Sequence, residues 1–274
     1  MAVDLERSNE MLLEFARLVE GKRHNAWEGR LKTGVDLGTA NIVLSVVDER
    51  NRPVAGASYP STVVRDGIVV DYMGAVRAVR QLKAQLEEQL GVTLETAACA
   101  IPPGIIEGNV KAIGNVVEAA DFNLTNIVDE PTAAASVLGI QSGAVVDVGG
   151  GTTGISILQD GKVIFTGDEP TGGTHMTLVL AGFEGCTVEE AEAKKKDPSK
   201  EGDIFPIIKP VVEKMASIVK GYLKGHDVDC IYVVGGACCF TQFEKVFEQQ
   251  IGVSVIKPAA PLLVTPLGIA MNCG

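Results

Sequence analysis

The sequence has no excess of positive charge: 24 Lys and Arg stand against 35 Asp and Glu, a formal net charge of −11 over 274 residues. That balance argues against nucleic acid or an anionic membrane surface as a main partner, since both select a basic face. Any bound phosphate must then be met mostly by backbone N–H groups and a metal cation. Long apolar runs are also missing, and none reaches the ~20 residues that span a bilayer. The opening MAVDLERSNE lacks the basic and apolar regions of a secretory leader, so a cytoplasmic protein is expected. The six cysteines (Cys99, Cys186, Cys230, Cys238, Cys239, Cys273) show no C-x-x-C spacing. The adjacent pair Cys238 and Cys239 is badly placed to share a disulfide or a zinc tetrahedron. Buried thiols in a reducing compartment are the simplest reading. His24, His175 and His226 are scattered without ligand spacing, so no metal cage is legible. No G-x-x-x-x-G-K-[ST] occurs, which excludes a Walker-type phosphate site.

What is present describes a globular α/β chain, 46% hydrophobic and 22% charged, with length for about two domains. Two segments repeat one pattern. TGVDLGTANIVLSVVDERNRPVAG (Thr33 to Gly56) and AVVDVGGGTTGISILQDGKVIFTG (Ala144 to Gly167) each read as strand, Asp-Gly-Thr turn, alternating strand, charged turn and strand. Downstream, AVRAVRQLKAQLEEQLG leads into AACAIPPGI, and PVVEKMASIVKGYLKG leads into CIYVVGGAC. Each is an amphipathic helix followed by a strand that ends in a turn. Two more helix patterns, VKAIGNVVEAADF and FEKVFEQQIG, lead to the short apolar strands in TNIVDE and VSVIK. The alternation predicts two similar lobes, each a mixed sheet flanked by helices, with a cleft between them.

The repeated turns carry the chemistry. Glycines admit positive φ and close backbone approach, so successive N–H groups can converge on an anion. Asp36 and Asp147, at the ends of their strands, are placed to hold a hydrated divalent cation, and Mg²⁺ keeps several waters when bound through few carboxylates. An acid and an amide-rich loop, supplied twice, describe a Mg²⁺-polyphosphate clamp. Gly149, Gly151 and Gly154 also satisfy G-x-G-x-x-G, but that motif needs a helix directly after the loop. Here ISILQDGKVIF follows, which is strand, turn and strand, so a dinucleotide fold is set aside.

These motifs resemble the actin, seventy-kilodalton heat-shock chaperone and sugar kinase superfamily. GVDLGTAN is similar to its first phosphate loop, IVDEPTAAA to its first connecting helix and VDVGGGTTG to its second phosphate loop. VVGGACCF is similar to its adenosine segment and TPLGIAMNCG to its second connecting helix, so the resemblance runs from about Gly34 to Met271. TGGTHMTLVLA followed by EEAEAKKKD resembles the division and pilus-assembly members. Over the whole chain the match is nearest to the ethanolamine-utilisation members associated with bacterial microcompartments.

The resemblance implies an actin-like, ribonuclease H-like fold that binds ATP and Mg²⁺. Asp36 and Asp147 would organise the metal through its waters, with Asp147 also counted as catalytic. Thr39, Gly150, Gly151 and Thr152 would contact the β- and γ-phosphates. Glu130 would orient the attacking water or accept its proton, although a helix-start acid stabilised by the N-terminal dipole explains it too. Gly235 and Gly236 would let the backbone pass adenine and ribose, with Gly172 and Gly173 near the phosphates or ribose. Glu213 and Lys214 would border the adenine, although a solvated helix face explains them equally well. The chain departs from the chaperones in having Gly154 where they carry an acid, in the small residues of GGACC, and in having no lysine that can be assigned to catalysis. The sequence ends at Gly274, where the large chaperones continue, so no peptide-binding domain is expected.

Residues 1–29 form an expected helical extension, with Ser8 as its cap, Met11, Phe15 and Leu18 as an apolar stripe, and Gly21 as its stop. It either packs on the body or docks a protein client or microcompartment component. Lobe I is expected over 30–140 with 261–274, and lobe II over 141–260. The charged run VEEAEAKKKDPSKEGD is expected to be a solvated cap of lobe II. Three functions fit: a chaperone-like protein with slow Mg²⁺-dependent ATP hydrolysis, a nucleotide-responsive scaffold or assembly factor without useful hydrolysis, and, third, a small-molecule kinase.

Overall fold

The computed structural model describes residues 5–65 and 67–274. The chain opens with helix α1 (Glu6–Gly21) and then builds an antiparallel meander from β1 (Lys32–Leu37), β2 (Asn41–Val47) and β3 (Pro53–Pro60). A short hairpin, β4 (Val64–Arg65) and β5 (Ile68–Val69), precedes α2 (Tyr72–Leu90), β6 (Thr96–Ile101), α3 (Glu107–Ala119), β7 (Asn123–Asp129) and α4 (Glu130–Leu138). The second half begins again with a meander, β8 (Gly143–Val148), β9 (Thr153–Gln159) and β10 (Lys162–Glu169). It continues through α5 (Gly173–Glu184), α6 (Val188–Lys195), α7 (Glu201–Tyr222), β11 (Cys230–Val234), α8 (Phe243–Ile251), β12 (Ser254–Ile256) and α9 (Val264–Met271).

The strand order is β3-β2-β1-β6-β7 in the first large sheet and β10-β9-β8-β11-β12 in the second. The two orders are equivalent. In each sheet the central strand pairs antiparallel with its hairpin partner and parallel with the strand that returns from a helix. The repeat read in the sequence is therefore a repeat of topology, and each parallel crossover is made by a helix, as such connections require.

Each sheet buries one face under its own helices. α2 and α3 close the first core through Val76, Val79, Leu82, Leu86, Ile113 and Val116. α5, α7 and α8 close the second, with Met176, Leu180, Ile208, Val212, Met215, Phe243 and Phe247 fully buried. The opposite faces share a third core, into which α4 and α9 insert between the sheets. Those two helices cross backbone to backbone. A Cβ on Gly268 would lie 1.9 Å from the Ala133 carbonyl oxygen, so no larger residue fits there.

Three local expectations need correction. Ser8 is not a cap: α1 starts at Glu6 behind Leu5, with no side-chain cap, and the Ser8 hydroxyl bonds the Val137 carbonyl instead. The helix does end at Gly21, and the left-handed Lys22 that follows (φ 48°) caps it by sending its N–H to Leu18 O. Its buried stripe centres on Leu12, Phe15 and Leu18, with Met11 only partly covered. α7 also starts nine residues earlier than Pro210, the position at which the sequence pattern placed its first turn. Pro206 and Pro210 both sit inside it. An internal proline costs a helix about 3 kcal/mol, and the same stretch buries Ile204, Phe205 and Ile208 against the second sheet, which offsets that cost.

Candidate functional site

The two repeated turns sit at corresponding ends of the two sheets. Leu37 pairs with Ile42, which leaves residues 38–41 as the first turn. Val148 pairs with Thr153, and the Gly149 N–H closes the second turn on Thr152 O at 3.0 Å. The turns meet. A Cβ on Gly150 would lie 3.3 Å from Thr39 Cβ and 3.5 Å from Ala40 Cβ, so the tip of one hairpin rests against the other. Behind them opens a cavity of about 630 Å³ bounded by both lobes. That volume lies within the ~300–1,000 Å³ typical of small-molecule and cofactor sites.

Most of the expected site residues line this one space: Asp36, Thr39, Glu130, Asp147, Gly150, Gly151, Thr152, Gly173, Gly235 and Gly236. Gly172 stands one residue behind the wall, with no room for a side chain because the Gly149 and Gly150 carbonyls are 2.7 Å from its Cβ position. The start of α5 is tied to the second turn by Gly173 N–H to Gly149 O (2.9 Å) and Thr174 N–H to Gly150 O (2.8 Å). Glu213 and Lys214 do not belong to the wall, which favours the solvated helix face over the adenine border. Glu213 pairs with Lys209 one helical turn away on α7 (2.7 Å), and the corresponding wall comes from Lys196, Asp197, Pro198 and Glu201.

Three carboxyls face the cleft, and each has its proton affinity raised, first of all by burial. Burial, then the charge of Asp147, pushes Asp36 up to about 7. Burial pushes Asp147 up as well, partly offset by the Thr265 hydroxyl, which donates to its Oδ2 at 2.6 Å. Glu130 is raised well above the carboxylate range by burial first, then by Asp147, Asp36, Asp168 and Asp129. Ionised together, these acids would repel a polyphosphate unless a cation lay between them. Among the described residues, no three His, Cys, Asp or Glu side chains are grouped to hold a metal directly. Asp36 and Asp147 with the hydroxyls of Thr39 and Thr152 instead suit a hydrated Mg²⁺, which binds few carboxylates and keeps its waters.

The Asp147 environment depends on a glycine. Gly235 has φ 93°, and a Cβ there would meet Asp147 Oδ1 at 2.4 Å and Val148 O at 2.5 Å. Its N–H bonds Pro261 O at 2.9 Å, which fastens the adenosine-like segment to the chain entering α9. Ala237, Cys239, Phe240 and Leu262 complete an apolar wall beside it. Across β9, Gly154 pairs with Asp168 of β10, whose Oδ1 lies 3.5 Å from the Gly154 Cβ position. A carboxylate thus comes near the place of the missing acid, carried by the neighbouring strand.

Two site residues escaped the sequence reading. Thr265 sits in a recognised motif, TPLGIAMNCG, but only the fold brings its hydroxyl to Asp147. Lys195 lies in the run read as a solvated cap, yet its side chain is largely buried in the cleft wall. Its ammonium donates to Gly173 O (2.9 Å) and Thr177 Oγ1 (2.6 Å) and pairs with Glu192 (2.6 Å). Burial lowers its pKa, partly countered by Glu192. The Glu192 to Lys195 spacing on one helix face was the available signal.

Two similar lobes with paired acid-and-glycine turns around one cleft define an actin-like fold. The crystal structure of MreB 5 of Spiroplasma citri bound to AMPPNP has the same fold, with TM-score 0.72 at 18% identity over 88% of this chain and 95% of that one. A family profile described as Type IV pilus assembly protein PilM matches residues 113–265. The crystal structure of ethanolamine utilization protein EutJ from Carboxydothermus hydrogenoformans superposes with TM-score 0.92 at 49% identity, covering 97% of this chain and 98% of that one. Ethanolamine utilization protein EutJ of Salmonella typhimurium is 43% identical over 238 residues, 86% of this chain and 84% of its own length. The chain belongs to the EutJ family of ethanolamine utilization proteins, within the broader PilM-like group.

Proposed function

We propose that this protein binds Mg²⁺-ATP in the cleft and hydrolyses it slowly, as a chaperone-like switch for a protein client or microcompartment component of ethanolamine utilisation in the cytoplasm. The contact between the Gly150 and Thr39 turns carries the reading, since it brings amide-rich loops of both lobes within reach of one triphosphate. Mg²⁺, when bound, supplies the positive charge that lets phosphates lie among three carboxylates. Asp36 and Asp147 hold its waters, and Thr265 fixes the Asp147 carboxylate through its hydroxyl. Thr39, Gly150, Gly151 and Thr152 donate to the β- and γ-phosphate oxygens. Gly172 and Gly173, held to the second turn, close on the phosphates and ribose, and Gly235 and Gly236 pass the adenosine. Glu130 orients the attacking water and takes its proton, a task suited to a carboxyl whose affinity for protons burial has raised. A nucleotide touching both lobes binds the closed form better than the open one, and that difference in affinity drives the switch.

Calorimetric titration with Mg²⁺-ATP tests the site. Binding that requires Mg²⁺ and is abolished by Asp147→Ala is expected, and unchanged binding in that variant overturns the assignment. Gly154, standing where the chaperones carry an acid, favours a second reading: a nucleotide-responsive scaffold or assembly factor that does not turn over. A single-turnover assay separates the two. Phosphate release that Glu130→Ala slows by about 10²-fold or more supports hydrolysis, and no release by the wild type leaves the scaffold.

A further inference from the structure

Helix α1 reaches both halves of the molecule from behind the cleft. On the first lobe, Phe15 and Val19 press onto β3 at Gly56, where a Cβ would lie 2.5 Å and 2.6 Å from their carbons. Ser8 Oγ donates to Val137 O of α4 at 3.0 Å. On the second, Asn9 Oδ1 accepts the Ala259 N–H at 2.8 Å, in the segment that leaves β12. The neighbouring residue, Ala260, has φ 45°, a left-handed conformation that a non-glycine residue keeps only when its surroundings hold it.

That segment builds the back of the cleft. Lys257 Nζ donates to Phe240 O (2.6 Å), Pro261 O accepts the Gly235 N–H (2.9 Å), and Leu262 lines the cavity. Thr265 donates to Asp147 (2.6 Å). Asn9 therefore anchors the chain two residues before a carbonyl that fixes Gly235, and six before the hydroxyl that fixes Asp147.

We propose that α1 is a strap that shapes the nucleotide site from behind, with Asn9 as a positioning residue, and that α1 docking and nucleotide binding reinforce each other. The inference rests on the nucleotide reading above. Coupling between two sites is reciprocal, so nucleotide must tighten α1 by the factor by which docked α1 tightens nucleotide.

The test combines calorimetric Mg²⁺-ATP titration with amide exchange of residues 6–21, on the full chain. Asn9→Ala removes the acceptor, and the loss of one net hydrogen bond is expected to raise Kd about threefold to tenfold. Asn9→Asp keeps an acceptor oxygen and restores affinity, which a loss of general helix stability would not explain. Leu13→Ser, on the exposed face of α1, leaves affinity unchanged. Saturating nucleotide slows exchange of α1 in the wild type and less in Asn9→Ala. Wild-type binding with the same affinity in Asn9→Ala, or α1 exchange indifferent to nucleotide, overturns the strap while the nucleotide site stands. No binding by the wild type overturns both.

Discussion

Asp36 carries a conflict that the ligand-free protein cannot resolve. Its carboxyl is pushed up to about 7 by burial and by Asp147, whereas in the unfolded chain it titrates near 3.8. A raised folded value means that the native state binds the proton more tightly. The favourable contribution is complete below the unfolded value and is lost as pH climbs through about 7. Without metal and nucleotide, stability should therefore decline between pH ~4 and ~7, and Asp36→Asn should flatten that decline, with a difference on the order of 2–4 kcal/mol near neutrality. Chemical denaturation across this range in EDTA checks it, and parallel wild-type and variant curves contradict it. Asp147 shares the pressure, but the Thr265 hydroxyl at 2.6 Å eases it. Acids held this way suit a site that gains from admitting a cation, which is the physical sense of placing carboxylates beside a phosphate-sized cavity.

At the scale of elements, α4 and α9 are the pair that crosses between the two sheets. Gly268→Val would force a side chain into the Ala133 carbonyl, 1.9 Å from the Cβ position, and separate the helices. Overpacking at a close crossing typically costs about 1–3 kcal/mol, and backbone contact puts this position at the upper end. Urea unfolding should show that loss, and an unchanged midpoint would mean that the crossing is looser than the geometry indicates. Elements of this kind were legible to different degrees. The Asp-Gly-Thr turns could be read because acid, glycine and flanking alternation are all local signals. Lys195 and Thr265 could not, because nothing near them in the chain says that Gly173 and Asp147 are their neighbours. α7 was read too short because Pro206 and Pro210 are local stop signals, overridden by burial of Ile204, Phe205 and Ile208. Ser8 fits the residue type of a cap, but the helix begins two residues earlier and spends that hydroxyl on α4.

The molecule as a whole repeats one strand order in two sheets, and its cleft is the place where the repeated turns meet. The sequence left open whether α1 belongs to the body or to a partner. The fold answers with Leu12 and Phe15 fully buried in the core shared by the lobes. Family membership supplies the context of ethanolamine utilisation, and the cleft supplies the chemistry proposed within it. A crystal structure of the full chain grown with Mg²⁺ and a non-hydrolysable ATP analogue tests that chemistry most directly. The account predicts one nucleotide per chain, its β- and γ-phosphates touched by residues 38–40 and 149–152 together, and the metal's waters on Asp36 and Asp147. A nucleotide held by one turn alone, or bound outside this cleft, would contradict it.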